Sequence, residues 1–298
     1  MNARASRDRP QGAKWAPARA LASAGVRPSK GRGQNFLVQP AVADRIVAAA
    51  RLRPGDHVIE IGPGLGILSE RIIAYPIARL SMVEIDSRLA TGLRSRFESA
   101  PNVEVPKIEV IAADFLDLEP ATVFRDSPAV VIGNLPFSSA SAILRKLCDW
   151  RRMISRMVLM FQREVAERIR ARPDEPGYAM LSVVSALYWE IDSHFRVTAG
   201  SFHPKPKVDA EVLIMHPRVP APFADNEEDA LIETVRAAFS SRRKTLRNAL
   251  SAGLNIAAAR AQAALERAAI DPRARAQTLD TADFVRLARS LGVRTGDA

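Results

Sequence analysis

Four short segments carry residue types whose spacing could do chemistry. The first is Glu60-Ile61-Gly62-Pro63-Gly64-Leu65-Gly66. Glycines there let the backbone turn sharply and let a ligand approach a helix N-terminus closely. A dinucleotide fingerprint reads Gly-x-Gly-x-x-Gly, whereas position 67 is Ile, so NAD is disfavoured. A shorter loop preceded by an acid suits S-adenosylmethionine. The methionine carboxylate of that cofactor can use the helix dipole, and carboxylates on the rim favour its cationic end. The second and third signals are Glu84 and Asp114. An acid 22 residues after Gly62 can accept both ribose hydroxyls. Asp86 is a less well placed competitor. A carboxylate at Asp114 can accept from an adenine amino group.

The fourth segment is Asn134-Leu135-Pro136-Phe137. The exocyclic amine of adenine is a poor nucleophile because its lone pair is delocalised into the ring. A site that accepts both N–H groups lets the nitrogen pyramidalise toward a methyl donor. The Asn134 side-chain oxygen and the Leu135 carbonyl could be those acceptors. Pro136 would fix the turn through its locked φ. Phe137 would stack on the base, worth roughly 1–3 kcal/mol. The target base would be reached by flipping it out of its strand. No strong general base is needed, because the methylated amine sheds its proton readily, so the work is positioning and electrostatics.

These segments need a frame that brings them together. Residues 57–61, 80–85, 108–112, 129–133 and 157–161 read as strands. Helices are expected at 40–51, 65–74, 87–98, 139–149, 163–171 and 179–189. Residues 191–197 and 210–215 read as a closing antiparallel pair. Strands alternating with helices indicate an α/β fold with a doubly wound, mostly parallel sheet, whose ligand sits beyond the carboxyl ends of the strands. Each of the four segments falls at such an end. Pro217, Pro220 and Pro222 mark a linker. Beyond it, helical periodicity at 226–240, 242–252, 256–269 and 281–291 predicts a small C-terminal all-α domain. The expected division is a basic tail at 1–33, read as disordered, a cofactor-binding domain at 34–217 and a helical domain at 218–298.

The 298 residues suffice for two domains without disulfides. One cysteine, Cys148, excludes a disulfide framework and a Cys-based zinc site. Four scattered histidines form no helical pair, and no metal is expected. No apolar run is long enough to span a membrane. The net charge of +10 is uneven. Residues 1–33 hold eight basic residues and one acid, residues 34–217 hold 22 of each, and residues 218–298 hold 13 and 10. Within the neutral middle, residues 145–172 hold nine basic and three acidic residues. Such patches suit a polyanion and give salt-dependent binding, with solubility as the plain competitor. The tail lacks the apolar core of a secretory signal, while its Arg-rich, acid-poor composition also fits an organelle transit peptide.

Taken in order along the chain, these motifs resemble the small-subunit rRNA adenine dimethyltransferases. Gly33-Gln34-Asn35-Phe36-Leu37 matches that family's N-terminal motif, followed by the 60–66 loop, Glu84, Asp114 and Asn134–Phe137. Residues 162–168 (Gln-Arg-Glu-Val-Ala-Glu-Arg), 202–209 (Phe-His-Pro-Lys-Pro-Lys-Val-Asp) and 242–248 (Arg-Arg-Lys-Thr-Leu-Arg-Asn) complete the match from about residue 30 to about residue 290. The resemblance implies a class I, Rossmann-like methyltransferase in the cytoplasm. Its activity would be transfer of two methyl groups to N6 of each of two adjacent adenines near the 3′ end of 16S rRNA. The methyl source would be S-adenosyl-L-methionine and the partner an immature small ribosomal subunit, met by a monomer. Carried over by position, the cofactor contacts are Asn35, Leu37, Gly62, Gly64, Glu84, Asp114 and Asn134, with Asn134–Phe137 forming the reaction motif. Phosphate contacts are expected from Arg151, Arg152 and Arg156, from Lys205 and Lys207, and from Arg242, Arg243, Lys244 and Arg247 within a turn and a half of helix.

Departures from the pattern are Phe137 for the commoner Tyr, Arg32 for an aromatic, and Ser138-Ser139-Ala140-Ser141 for Asn-Ile-Ser-Thr. Competing readings are an Erm-type 23S rRNA methyltransferase, a mitochondrial relative, and a non-catalytic RNA- or DNA-binding factor of the same fold.

Overall fold

The computed structural model describes residues 34–98, 106–125, 128–241 and 243–292. The tail at 1–33 and Arg242 lie outside them. Strand β1 is Phe36–Leu37 and helix α1 is Pro40–Ala49. Then come β2 (His57–Ile61), α2 (Ser69–Ile72), β3 (Arg79–Glu84), α3 (Ser87–Phe97), β4 (Lys107–Ala112) and α4 (Pro120–Val123). The chain continues through β5 (Ala129–Asn134), α5 (Ala140–Asp149), β6 (Ile154–Gln162), α6 (Arg163–Arg170) and α7 (Met180–Tyr188). Strands β7 (Trp189–Val197), β8 (Phe202–His203) and β9 (Ala210–Pro217) follow. Four helices close the chain: α8 (Glu228–Ala238), α9 (Leu246–Gly253), α10 (Ala258–Arg267) and α11 (Thr281–Leu291).

Seven strands form one sheet in the order β4-β3-β2-β5-β6-β9-β7. The first five run parallel, and β9 is antiparallel to both β6 and β7. The sequence of β2 shows why it is central. All five of its residues are buried, as in a parallel strand covered on both faces. His57 and Glu60 are the polar members, and His57 Nε2 meets Ser81 Oγ at 2.9 Å on the neighbouring strand. One apolar layer, with Ile46, Val47, Ile72 and Leu93, covers one face of the sheet.

The other layer is larger and does not stop at the linker. It joins Trp150, Tyr188 and Trp189 to Phe223, Leu231, Val235 and Phe284 in one continuous core. The Tyr178 hydroxyl donates to the Leu279 carbonyl at 2.6 Å across the same boundary. The helical segment therefore folds onto the sheet layer instead of standing apart, because α7 and α8 bury their apolar faces against each other.

One sequence expectation changes, and one element was not expected. The helix expected at 65–74 shrinks to α2, since Gly64 and Gly66 hold left-handed φ of 58° and 77° and the chain turns until residue 69. The two-residue ribbon in which β1 pairs with β8 had no sequence signal, because so short a pairing shows no periodicity.

Candidate active site

Parallel strands β2 to β5 deliver their chemistry to one edge. Gly62 follows β2, Glu84 ends β3, Asp114 follows β4 and Asn134 ends β5. These residues line a single cavity of about 240 Å³. Asn35, Gly64, Leu135, Pro136 and Phe137 line it too. The structure thus brings together every expected cofactor and reaction residue except one. Leu37 turns into the core and is 2% exposed. Consecutive strand residues face opposite sides, so it is Phe36 that faces the cavity.

Glu84 is pinned by two backbone donors. Gly64 N–H donates to Oε2 at 3.0 Å and Asp86 N–H to Oε1 at 3.0 Å. Burial raises its pKa above the usual carboxylate range, and those two amides pull it back. Asp86 is a helix cap: its Oδ1 accepts from Arg88 N–H at 3.0 Å at the start of α3. That settles the competition between the two acids in favour of Glu84 as the cavity group. Asp114 spends Oδ1 on Leu116 N–H at 2.9 Å, which holds its side chain beside the cavity. Glycine is favoured at position 64 on two counts. Its φ is 58°, and a Cβ there would stand 2.9 Å from the Phe36 ring.

Glu60 is not a rim acid. It is 1% exposed, accepts from Ser69 Oγ at 2.6 Å, and is absent from the cavity wall. Burial pushes its pKa up to about 8, with the Glu84 charge adding to the rise. That rise favours the protonated acid at neutral pH, and the side chain fills the space behind the glycine turn. Its position on β2 faces α2, away from the ligand.

Asn134 is held by a contact that the sequence did not announce. Its side-chain N–H₂ donates to the Asn35 main-chain carbonyl at 3.0 Å. The amide oxygen is thereby left as the acceptor. The Pro136 carbonyl accepts from Ser139 and Ala140 N–H, so the motif ends directly in the first turn of α5. Phe137 is half-buried on the cavity wall. Apolar wall residues Phe36, Ile85, Phe115 and Ile143 were missed. Each sits next to a motif or on a helix, where an apolar side chain reads as ordinary core.

The basic residues divide. Arg151, Arg152 and Arg156 lie at the amino end of β6, opposite the cavity edge. Arg151 makes a two-pronged pair with Glu228 at 3.1 and 2.7 Å, and Arg152 pairs with Asp225. Arg156 binds Asp56 at 2.7 Å and the carbonyls of Ala50 and Arg51. Arg151 and Arg156 are largely buried in these pairs, whereas Arg152 stays exposed, and the position of all three at the amino end of β6 corrects the expectation that they lie near the active-site edge.

Lys205 and Lys207 are exposed on the loop after β8, whose partner β1 borders the cavity. Arg243, Lys244 and Arg247 are exposed as well. The first two lie in a turn, because α9 begins only at Leu246 after the extended Thr245. They sit past the far end of α8 from Arg151, a helix about 16 Å long. That end packs through Phe239 on Tyr178, just before α7. Among the described residues no helix is long and apolar enough to cross a membrane, and no three His, Cys, Asp or Glu side chains converge as a metal site.

A parallel-sheet edge carrying a glycine turn, two carboxylates and an amide-led Asn-Leu-Pro-Phe turn narrows the comparison with known proteins. The sequence profile of the family described as ribosomal RNA adenine dimethylase matches residues 28–292. The chain belongs to that family. A Syntrophotalea carbinolica protein named ribosomal RNA small subunit methyltransferase A is 41% identical over 263 residues, covering 88% of this chain and 96% of the relative. Its Thermobifida fusca namesake is 37% identical, covering 91% and 92%. Among solved structures, a dimethyladenosine transferase from Plasmodium falciparum superposes with a TM-score of 0.71 at 26% identity, covering 85% of this chain and 95% of that one. The 23S rRNA methyltransferase ErmE superposes with a TM-score of 0.63 at 28% identity, covering 86% and 99%. Membership of the family makes this chain a Rossmann-like methyltransferase, and a mostly parallel sheet carrying a helical C-terminal segment is what the structure contains.

Proposed function

We propose that this protein is an S-adenosylmethionine-dependent rRNA adenine N6,N6-dimethyltransferase that modifies two adjacent adenines near the 3′ end of 16S rRNA in an immature small subunit. The observation that carries the reading is the Asn134 amide, whose N–H₂ is occupied by Asn35 and whose oxygen remains to accept from a substrate amine. With the Leu135 carbonyl as second acceptor, both N–H groups of adenine N6 would be engaged. The nitrogen lone pair then leaves conjugation and becomes nucleophilic. Phe137 would hold the flipped ring by stacking.

The cavity fits the cofactor. Glu84 would take the ribose hydroxyls, Asp114 the cofactor's adenine amine, and the Gly62–Gly66 turn the methionine end, where Gly64 leaves no room for a Cβ. When bound, S-adenosylmethionine supplies an electrophilic methyl group on sulfonium. The chain's own work is to strip water from that edge, orient the amine and hold two acceptors still. Lys205, Lys207, Arg243, Lys244 and Arg247 are the phosphate contacts of this reading. They would position the RNA without reading its sequence.

The small-subunit reading is preferred to the Erm-type reading because the curated relatives quoted above carry the small-subunit name. Tritium transfer from labelled cofactor into immature small subunits is expected for the native protein. Asn134→Ala should lower it by about a hundredfold or more, the scale for removing one aimed polar contact, while leaving RNA binding in place. In a parallel assay on large-subunit rRNA, label in 23S rRNA would redirect the assignment to the Erm-type activity, and no transfer to either RNA would leave a binding protein.

A further inference from the structure

We propose that the main-chain carbonyl of Asn35 is the positioning group that fixes the catalytic amide, and that the β1–β8 ribbon holds this carbonyl in place. The inference rests on the methyltransferase reading above and adds to it a requirement on how Asn134 is oriented.

A primary amide has nearly the same shape with its oxygen and nitrogen exchanged. Only one arrangement serves the reaction. With oxygen toward the substrate the group accepts an N–H from adenine, whereas with nitrogen forward two donors would face each other. Nothing in the local motif distinguishes the two. The Asn35 carbonyl does, since it can only accept, and it stands 3.0 Å from Nδ2. Exchanging the ends would lose that hydrogen bond and set two oxygens against each other.

Asn35 lies 99 residues from Asn134 in the chain, so the contact must be built by the tertiary structure. The next residues show how. Phe36 pairs with His203 and Leu37 with Phe202, and Val38 N–H donates to the Ser201 carbonyl at 2.8 Å. The segment is also tied on both faces: the Phe36 ring packs beside Gly64 and Leu89, and Leu37 enters the core. The same ribbon leads straight into the loop bearing Lys205 and Lys207. Cofactor turn, catalytic amide and substrate-facing loop are thus fastened to one another through a two-residue strand.

The test uses the full-length protein, labelled S-adenosylmethionine and immature small subunits, comparing Asn134→Asp with the native protein from pH 5.5 to 8.5. As a carboxylate, residue 134 has no donor for the Asn35 carbonyl and should be displaced. As a carboxylic acid it can donate to Asn35 and still accept from the substrate. Glu84 and Asp114 on the cavity wall and His203 on β8 are common to both proteins, so the ratio of kcat values isolates position 134. The expected ratio is small at pH 8.5 and climbs as pH falls, by about tenfold per unit while the carboxyl titrates. A ratio that stays flat or falls with acid overturns the proposal, because the carboxylate would then serve unaided. If native protein transfers no label, the methyltransferase reading itself fails, which is a separate result.

A second measurement needs no altered active site. In native protein the Asn134 side-chain amide signal, assigned by its loss in Asn134→Ala, should exchange with solvent at least about tenfold more slowly than that of exposed Asn248. Equal exchange rates overturn the proposal.

Discussion

Replacing Glu60 by Gln should make the protein's stability less sensitive to alkali. Glu60 is sealed behind the glycine turn, with Ser69 donating to Oε2 at 2.6 Å and Oε1 without a partner among the described residues. Burial raises its pKa from the ordinary 4.5 to about 8. The folded protein therefore keeps a proton that the unfolded chain releases between those values. More protons on the folded side means that stability is greatest below about pH 4.5 and is lost as pH rises through 8. Glutamine keeps the shape and an acceptor for Ser69 but does not titrate. Groups not coupled to Glu60 cancel when variant and native protein are compared at the same pH, and Glu84 is the neighbour whose charge is coupled to it. Between pH 5 and 8.5 about three pH units of this linkage are traversed, at 1.36 kcal/mol each. The native protein should lose about 4 kcal/mol relative to Glu60→Gln. Urea unfolding at pH 5, 7 and 8.5, monitored by circular dichroism, measures the difference. A change below about 1 kcal/mol across that range would show that Glu60 is ionised inside the fold and that its burial is compensated.

Removing Arg243, Lys244 and Arg247 together should flatten the salt dependence of RNA binding, lowering the log–log slope by about 2–3 if each contacts one phosphate. An unchanged slope would remove that turn from the interface. Arg151→Ala should leave the slope alone and cost about 2 kcal/mol of unfolding free energy, since it removes the cation from the half-buried Glu228 at the joint between sheet layer and helices and leaves it the Tyr188 hydroxyl. Gly64→Ala should weaken S-adenosylmethionine binding by tenfold or more in calorimetry, about 1.4 kcal/mol, because the new methyl must displace Phe36 and the residue must hold a positive φ. Native-like affinity would show that the turn relaxes freely.

The frame of this protein was legible because its signals are local. Strands such as His57–Ile61 and Ala129–Asn134 are mostly apolar, and the glycine turn, Glu84, Asp114 and Asn134 each follow or end one. A parallel sheet then carries all four to one edge whatever else the chain does. The antiparallel pair at 191–197 and 210–215 was equally plain, and β9 was found between β6 and β7. What failed was any statement about a side chain's partner. Arg151, Arg152 and Arg156 look like free cations in a basic stretch, yet their partners are Glu228, Asp225 and Asp56, 73 to 100 residues away.

Sequence by itself therefore determined the order of the elements, the shared edge and the residue types that meet there, because periodicity and turn chemistry act over a few residues. Only the tertiary structure decided which way those residues face. Glu60 points into the core while Glu84 reaches the cavity, Phe36 and not Leu37 lines the wall, and Asn35 sets the amide of Asn134. Such choices depend on contacts between segments distant in the chain, and hydrogen bonding and burial are settled only when those segments pack.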